Sequence, residues 1–242
     1  QSFSLESYAT ALLRDEPALV SSLDFGPFVQ QGTAKGVKLL IGDPSEIPLS
    51  SATATRLEYR MALLARPGDH VLVRRHNPAF ETYLSTVLGK SDVTFHELQS
   101  GSPAPVTRQI RTSREWIKTF ANIREDTPGL TVQSYLTTGN TWRLAQAIGQ
   151  QSGRIVHVSG PSPRISRRAN DKLWFAGRVR SIIGAQATPP TFSAFGPAAS
   201  AGLVHRLSKV ADQVIVKIPD SAGSSGNLRL DSAPVRRTSL AD

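Results

Sequence analysis

Short apolar runs alternate with helix-periodic segments through the middle of the chain. The apolar runs have the length and β-branched content of buried strands: VKLLIG, HVLVRR, VTFHEL, and the segments 130–136 and 154–159. The segments between them place apolar residues at helical spacing: 54–65, PAFETYLSTVLG, 113–122 and 141–151. Strands and helices that alternate in this way form right-handed crossovers. The pattern predicts an α/β fold with a Rossmann-like, mostly parallel sheet over residues 36–165.

The first 35 residues have a different pattern. Residues 5–13 carry apolar positions at helical spacing, and the stretch that follows is interrupted by Gly26, Pro27 and Gly32. Glycine and proline at this density are typical of irregular backbone. We therefore predict an N-terminal helical extension, residues 1–35, that precedes the sheet domain.

A loop of Gly, Pro and Ser at 160–163 marks the predicted end of that domain. Asn170 or Asp171 can cap the helix that follows, which stops at Gly184. Its apolar positions share one face: Phe175, Val179, Ile182 and Ile183. A second helix, rich in small residues, is predicted at 198–211.

The last two β-like segments form a predicted hairpin. Val214 and Val216 alternate with Ile215 and Lys217 in QVIVKIP, so Lys217 faces away from the more apolar side. The sequence SAGSSGN and a second run, LRLDS, follow. A lysine supplies charge, and glycine lets backbone N–H groups point at an anion. The segment has the chemistry of a triphosphate clamp, although many such tips are ordinary solvated turns.

Charge adds to the picture of an anionic ligand. The formal net charge is +9 and the pI is near 10.3. Nucleic acid would use such charge through its phosphates. However, the arginines are scattered in pairs and short clusters, without a basic stripe interleaved with aromatic residues. Nucleic-acid binding is therefore the weakest of three hypotheses, and a small anion such as ATP fits the same charge.

The sequence lacks the motifs that are typical of several classes of protein. The chain has no cysteine, which excludes disulfides, thiolate metal sites and cysteine nucleophiles. Its five histidines have no HxH or HExxH spacing, so we expect no metal site built by these residues alone. There is no GxSxG elbow, and no GxGxxG follows the first strand. No apolar run approaches the roughly 18 residues of a membrane span, and we expect a cytoplasmic protein.

Four segments resemble parts of one enzyme family. NDKLWF at 170–175, IIGAQATPPT and VIVKIPDSAGSSGN at 214–227 are similar to the junction between a pre-ATP-grasp domain and an ATP-grasp domain. Upstream, RMALLARPGDHVLVRRHNPAFETYLSTVLG resembles the first βαβ part of the pre-ATP-grasp domain in carboxylate–amine ligases related to the pheganomycin peptide ligase. The resemblance implies that residues 166–242 form a linker helix and part of an α+β ATP-grasp small subdomain.

The resemblance also implies an activity. Such a ligase phosphorylates a carboxylate with ATP and Mg²⁺, and an amine then attacks the acyl phosphate to form an amide or peptide bond. Small-molecule carboxylates and amines or peptides would be the substrates. Lys217 matches the nucleotide-contacting lysine of the grasp strand, and Lys172 matches a second one less closely. The residues matching the mobile loop over the phosphates are Ser221, Ala222, Gly223, Ser224, Ser225, Gly226 and Asn227.

The sequence departs from the family in two ways. Its loop has only Gly223 and Gly226, fewer glycines than related loops. The family's Mg²⁺ ligands and its phosphate-stabilising arginine belong to the large subdomain, which we expect downstream of Asp242, so no catalytic residue is assigned and this chain alone is expected to be inactive. The second hypothesis is therefore a non-catalytic α/β binding module of the same architecture, and the oligomeric state is left open, including a homo-oligomer.

The turns 138–140 and 159–160 follow predicted strands, where they would line a substrate surface or serve as ordinary turns.

Overall fold

A computed structural model describes residues 4–15, 25–45, 57–98, 101–123, 129–219 and 226–238. The chain divides into two compact units, Gln1–Arg167 and Arg168–Asp242. Among the residues described, no helix has the length and apolar content needed to span a membrane.

The first unit holds six strands and most of the helices. The strands are β1 (Val29–Gln31), β2 (Val37–Ile41), β3 (His70–Val73), β4 (Thr94–Glu97), β5 (Leu130–Ser134) and β6 (Val156–Val158). The α-helices are α1 (Leu5–Asp15), α2 (Pro78–Thr86), α3 (Val106–Thr112), α4 (Arg114–Ala121) and α5 (Gly139–Ser152), and Glu58–Leu64 forms a 3₁₀ helix. Helix α6 (Pro163–Asn170) includes the boundary between the units.

The six strands form one sheet in the order β1-β6-β5-β2-β3-β4. Every neighbouring pair is parallel. The chain therefore builds outward from β2 through β3 to β4, crosses to β5, and continues to β6 on the other side. The predicted α/β fold with a Rossmann-like, mostly parallel sheet is confirmed.

The two faces of the sheet are covered by different elements. On one face, Leu39 and Val132 pack under α3, α4 and α5, whose buried side chains include Ile110, Phe120 and Trp142. On the other face, Leu40, Val71 and Val73 pack against the 3₁₀ helix and α2. The central strands carry apolar side chains on both faces of the sheet because both faces are buried, as is typical of parallel sheets.

The predicted N-terminal extension contains the edge strand β1, which the sequence pattern did not indicate. Val29 pairs with Val156 of β6, and Phe25 stacks on Trp142 at 5.5 Å between ring centroids. The chain then returns across the sheet, because the Ala34 amide donates to Thr131 Oγ1 at 2.9 Å. Residues 25–35 are thus part of the sheet unit, because β1 pairs with β6.

Three helical segments of the first unit differ from the prediction. The helix predicted at 54–65 is a 3₁₀ helix from Glu58 to Leu64, and residues 54–56 lie outside the described part. Helices α3 and α6 were not predicted. Ser162 Oγ accepts from the Ile165 amide at 3.3 Å and Pro163 is the first residue of α6, which is a capping pattern. The Gly-Pro-Ser-Pro turn therefore starts a helix in addition to ending the sheet domain.

The second unit contains helices and a hairpin. Its elements are α7 (Lys172–Ile182), a 3₁₀ turn (Ala185–Ala187), α8 (Pro197–Ser208), β7 (Gln213–Lys217), β8 (Asn227–Asp231) and α9 (Ser232–Arg237). Asp171 caps α7, because its Oδ1 accepts from the amides of Leu173 and Trp174 at 2.8 and 3.1 Å. The capping role predicted for Asp171 is confirmed.

Candidate functional site

The hairpin of β7 and β8 has two chemically different faces. The strands are antiparallel, and Lys217 lies opposite Asn227 while Val214 lies opposite Leu230. Because side chains alternate along a strand, directly opposed residues share a face. One face is apolar, with Val214, Val216, Leu228 and Leu230. The other face carries Gln213, Ile215, Lys217, Asn227, Arg229 and Asp231, and we call it the open face.

The apolar face is covered around Val214, whereas the open face is exposed throughout. Val214 is 7 % exposed, and β7 packs against α8 while α9 packs against α8 and β8. By contrast, every side chain of the open face is exposed. Lys217 thus projects from the end of β7 into solvent, on the side away from the apolar residues, as the alternation predicts. A cation in this position is accessible to an anionic ligand.

Lys172 lies near the exit of β7. Its ammonium donates to the carbonyl oxygens of Ile218 and Pro219 at 2.9 and 3.2 Å. The fold thus brings Lys172 beside the residues that follow Lys217. The same contacts give Lys172 a structural role, because they join the start of α7 to the hairpin. Its contact with a nucleotide stays a prediction.

The predicted phosphate-covering loop lies mostly outside the described residues. This applies to Ser221, Ala222, Gly223, Ser224 and Ser225. The two remaining members close the hairpin: the Gly226 carbonyl accepts from the Ile218 amide at 2.8 Å, and Asn227 begins β8 opposite Lys217. The base of the loop is therefore held beside the lysine by backbone hydrogen bonds.

The carboxyl edge of the parallel sheet, where ligands of open α/β folds usually bind, holds a partly buried ionic network. Asp43, which follows β2, accepts from the Val106 amide at 2.7 Å and from the Arg74 guanidinium at 3.4 Å. Arg74, which follows β3, also donates to the carbonyls of Ser102 and Ala104 at 3.0 and 2.9 Å. These charges satisfy one another and tie three strand-exit segments together. We assign them a structural role.

Glu58 completes this network from the 3₁₀ helix. Its carboxylate accepts from the Arg74 amide at 3.0 Å, and the residue is 3 % exposed. Burial raises the pKa of Glu58, and the backbone hydrogen bond from Arg74 partly offsets this effect. Gly42 leaves room for this approach, since a Cβ there would lie 1.7 Å from the Glu58 carbonyl oxygen.

The turns predicted as a substrate surface lie at the same edge and pack together. Thr138 caps α5 by accepting from the Asn140 amide at 3.2 Å. A Cβ on Gly160 would lie 2.1 Å from Thr137 Oγ1, and Gln31 Nε2 donates to the Gly160 carbonyl at 3.0 Å. Helix capping and close packing account for these residue types. Their contact with a substrate stays a prediction.

Arg60 and Tyr135 form a contact that the sequence did not predict. The Arg60 guanidinium carbon lies 3.7 Å from the centroid of the Tyr135 ring, a cation–π contact. Tyr135 follows β5, which neighbours β2 where the direction of strand order reverses. An aromatic residue near the end of a predicted strand was the available signal, but the arginine approaches from a separate element and has no local signature.

Two histidines of β3 and β4 lie side by side under α4. His70 Nδ1 and His96 Nε2 are 2.8 Å apart, and the His96 ring makes edge-type contacts with Trp116 and Phe120. Burial, with a smaller contribution from His70, lowers the pKa of His96 to about 4. Within the described ranges, no group of three or more His, Asp or Glu side chains could hold a metal ion. Among these described residues there is therefore no such cluster to hold Mg²⁺.

Comparison with known proteins gives one match. Residues 58–150 match the family model of the pre ATP-grasp domain. No curated protein and no solved structure matches the chain. The matched segment begins at the 3₁₀ helix and ends within α5, so it covers β3, β4 and β5 of the sheet. The match shows that this segment is similar to the pre ATP-grasp domain.

Proposed function

We propose that this chain forms the N-terminal part of an ATP-dependent carboxylate–amine ligase of the ATP-grasp type, in which the β7–β8 hairpin grips the nucleotide. The observation that carries the proposal is the open face of the hairpin. Lys217 is exposed at the end of β7, opposite the residue where the Gly- and Ser-containing tip rejoins β8. Residues 58–150 of the sheet unit match the pre ATP-grasp domain, which supports the proposal.

Charge and backbone chemistry support nucleotide binding at this face. A lysine is a compact, strongly charged donor for phosphate oxygens. The tip from Ser221 to Asn227 contributes small residues whose backbone N–H groups can approach an anion without obstruction. We assign the triphosphate to Lys217 and this tip, and a supporting role to Lys172, which holds the strand exit in place.

The proposed reaction forms an amide or peptide bond in two steps. A carboxylate oxygen attacks the terminal phosphorus of ATP and ADP leaves; the amine then attacks the acyl carbon and phosphate leaves. The part of this chemistry assigned to the chain is the binding and orientation of the nucleotide by the hairpin. Because no described cluster fits Mg²⁺, no step is assigned to a metal held by these residues. We further propose that the protein is related to the pheganomycin-type peptide ligases and acts in the cytoplasm.

The test is ATP binding to the full chain with and without Lys217→Ala. We expect saturable binding that the substitution weakens about tenfold, the effect of losing one charge-assisted contact. Lys209→Ala is the matched control, because Lys209 is also an exposed lysine of the second unit and lies at the end of α8. Circular dichroism would confirm that both variants fold. No saturable binding, or equal affinity of Lys217→Ala and wild type, would contradict the proposal.

A further inference from the structure

We propose that Arg229 is a second cationic contact for the polyphosphate of the nucleotide, acting together with Lys217. This inference rests on the proposed function of the hairpin and adds a residue on its second strand. Arg229 lies on β8, two residues beyond Asn227, and was absent from the residues that the sequence assigned to the site.

The register of the hairpin places the two cations on one face. Lys217 is opposite Asn227, and Ile215 is opposite Arg229. Residues two apart on a strand share a face, so Arg229 is a diagonal neighbour of Lys217. Diagonal neighbours across an antiparallel pair are about 7–8 Å apart at their backbones, within reach of long side chains. The two head groups can therefore approach the same multiply charged ligand.

Within the described part of the chain, neither head group is neutralised. The side chains of Lys217 and Arg229 form no hydrogen bond or ion pair with any described residue. The one acidic residue of the open face, Asp231, lies at the opposite end from Lys217 and accepts from Gln213 Nε2 at 3.4 Å. Two like charges on the same face repel each other, and an anion between them removes this cost.

Two other arginines of the second unit have partners among the described residues. Arg236 donates to the Ser208 carbonyl and lies 3.7 Å from Asp212. Arg180 Nε donates to Thr188 Oγ1 at 2.9 Å. These arginines fasten loops to helices, whereas Arg229 projects from a regular strand into solvent. What distinguishes Arg229 is that it shares its face of the hairpin with Lys217, so that one ligand could contact both.

Phosphate is the chemistry that suits this pair. A guanidinium offers a planar fork that donates two hydrogen bonds to a phosphate, and an ammonium adds a compact charge. A polyphosphate provides several anionic oxygens along its length, so both cations can bind it at once. Adenosine offers neither the charge nor the extension. The contribution of Arg229 should therefore increase with the number of phosphates.

The experiment compares ATP and AMP binding to the full chain and its Arg229→Ala variant, by calorimetry at fixed salt. Arg229→Ala should weaken ATP binding about fivefold to tenfold and AMP binding less than about twofold. Arg237→Ala removes the same charge from an exposed position on α9 and should change neither affinity by more than about twofold. Circular dichroism would check the fold of each variant.

Three outcomes would overturn the inference. If Arg229→Ala binds ATP as tightly as wild type while Lys217→Ala binds it more weakly, Arg229 has no part in an otherwise valid site. Equal losses for ATP and AMP would show that Arg229 does not contact the polyphosphate. Absence of ATP binding by the wild-type chain would refute the proposed function itself, and the inference with it.

Discussion

The two units of this protein use their apolar residues differently. In the sheet unit, helices α3, α4 and α5 each bury side chains against the strands, and Trp142 is completely buried. In the second unit, α7 buries no side chain among the described residues, and Phe175 is 56 % exposed although it lies on a predicted apolar face. Buried apolar packing among the described residues therefore stabilises the first unit. The second unit exposes both apolar and cationic side chains.

The largest expected effect comes from the core of the sheet unit. Trp142→Ala removes a fully buried ring that stacks on Phe25 and donates from Nε1 to the Pro161 carbonyl at 3.1 Å. We expect the free energy of unfolding to fall by about 3–5 kcal/mol. Phe195→Ala is the counterpart in the second unit, where the ring is 89 % exposed, and should cost less than about 0.5 kcal/mol. Urea unfolding followed by circular dichroism measures both, and similar losses would refute the comparison.

A smaller contrast involves two glycines. Gly42→Ala would place a methyl group against the Glu58 carbonyl, so we expect a loss of about 1–3 kcal/mol. Gly177 lies inside α7, and a Cβ added there would meet nothing within 4 Å among the described residues. Gly177→Ala should therefore stabilise the helix by about 0.5–1 kcal/mol. Opposite signs in thermal unfolding support the comparison, and destabilisation by Gly177→Ala would break it.

The smallest effect is a pH dependence of the sheet unit. The pKa of His96 is lowered to about 4, so between pH 6.5 and 4 the unfolded chain binds a proton that the folded chain does not. Stability should therefore fall as the pH falls through this window, by about 1–2 kcal/mol after allowance for partial exposure. Glu58 acts in the opposite direction, because its raised pKa adds stability as the pH falls.

The contribution of His96 can be isolated with His96→Gln. This variant keeps a polar side chain near His70, but the side chain at position 96 no longer titrates between pH 6.5 and 4. We expect its stability to change less between pH 6.5 and 4 than that of the wild type, in urea unfolding at each pH. An identical pH dependence of the two proteins would contradict the assignment to His96.

The sequence predicted the elements that carry their own local signal. Strands β2 to β6 and helix α5 have the right composition and period, and the parallel sheet followed from their alternation. Strand β1 has only three residues, two of them glutamine, and its extended form depends on pairing with the edge of β6. Helix α3 has β-branched residues and no side-chain cap, so its helical form depends on the burial of Val106 and Ile110. Both β1 and α3 thus depend on tertiary contacts, which leave no local pattern in the sequence.

The candidate site was predictable only to the same extent. Alternation along β7 was enough to place Lys217 on the less apolar side, and the structure agrees. The pairing of Lys217 with Asn227, and hence the position of Arg229, depends on the register of the hairpin. That register is set by the turn and by packing, because alternation within one strand does not say which residue of the other strand lies opposite.

The pairing of β1 with β6 has a consequence for how the protein is made. On the ribosome, Val29 emerges long before Val156, its partner in the sheet. Until β6 has been synthesised, β1 has no partner strand, and the hydrogen bond from the Ala34 amide must likewise wait for Thr131 of β5. Such long-range pairing slows folding. The sheet should therefore be completed late in translation, once β6 has been synthesised and can pair with β1.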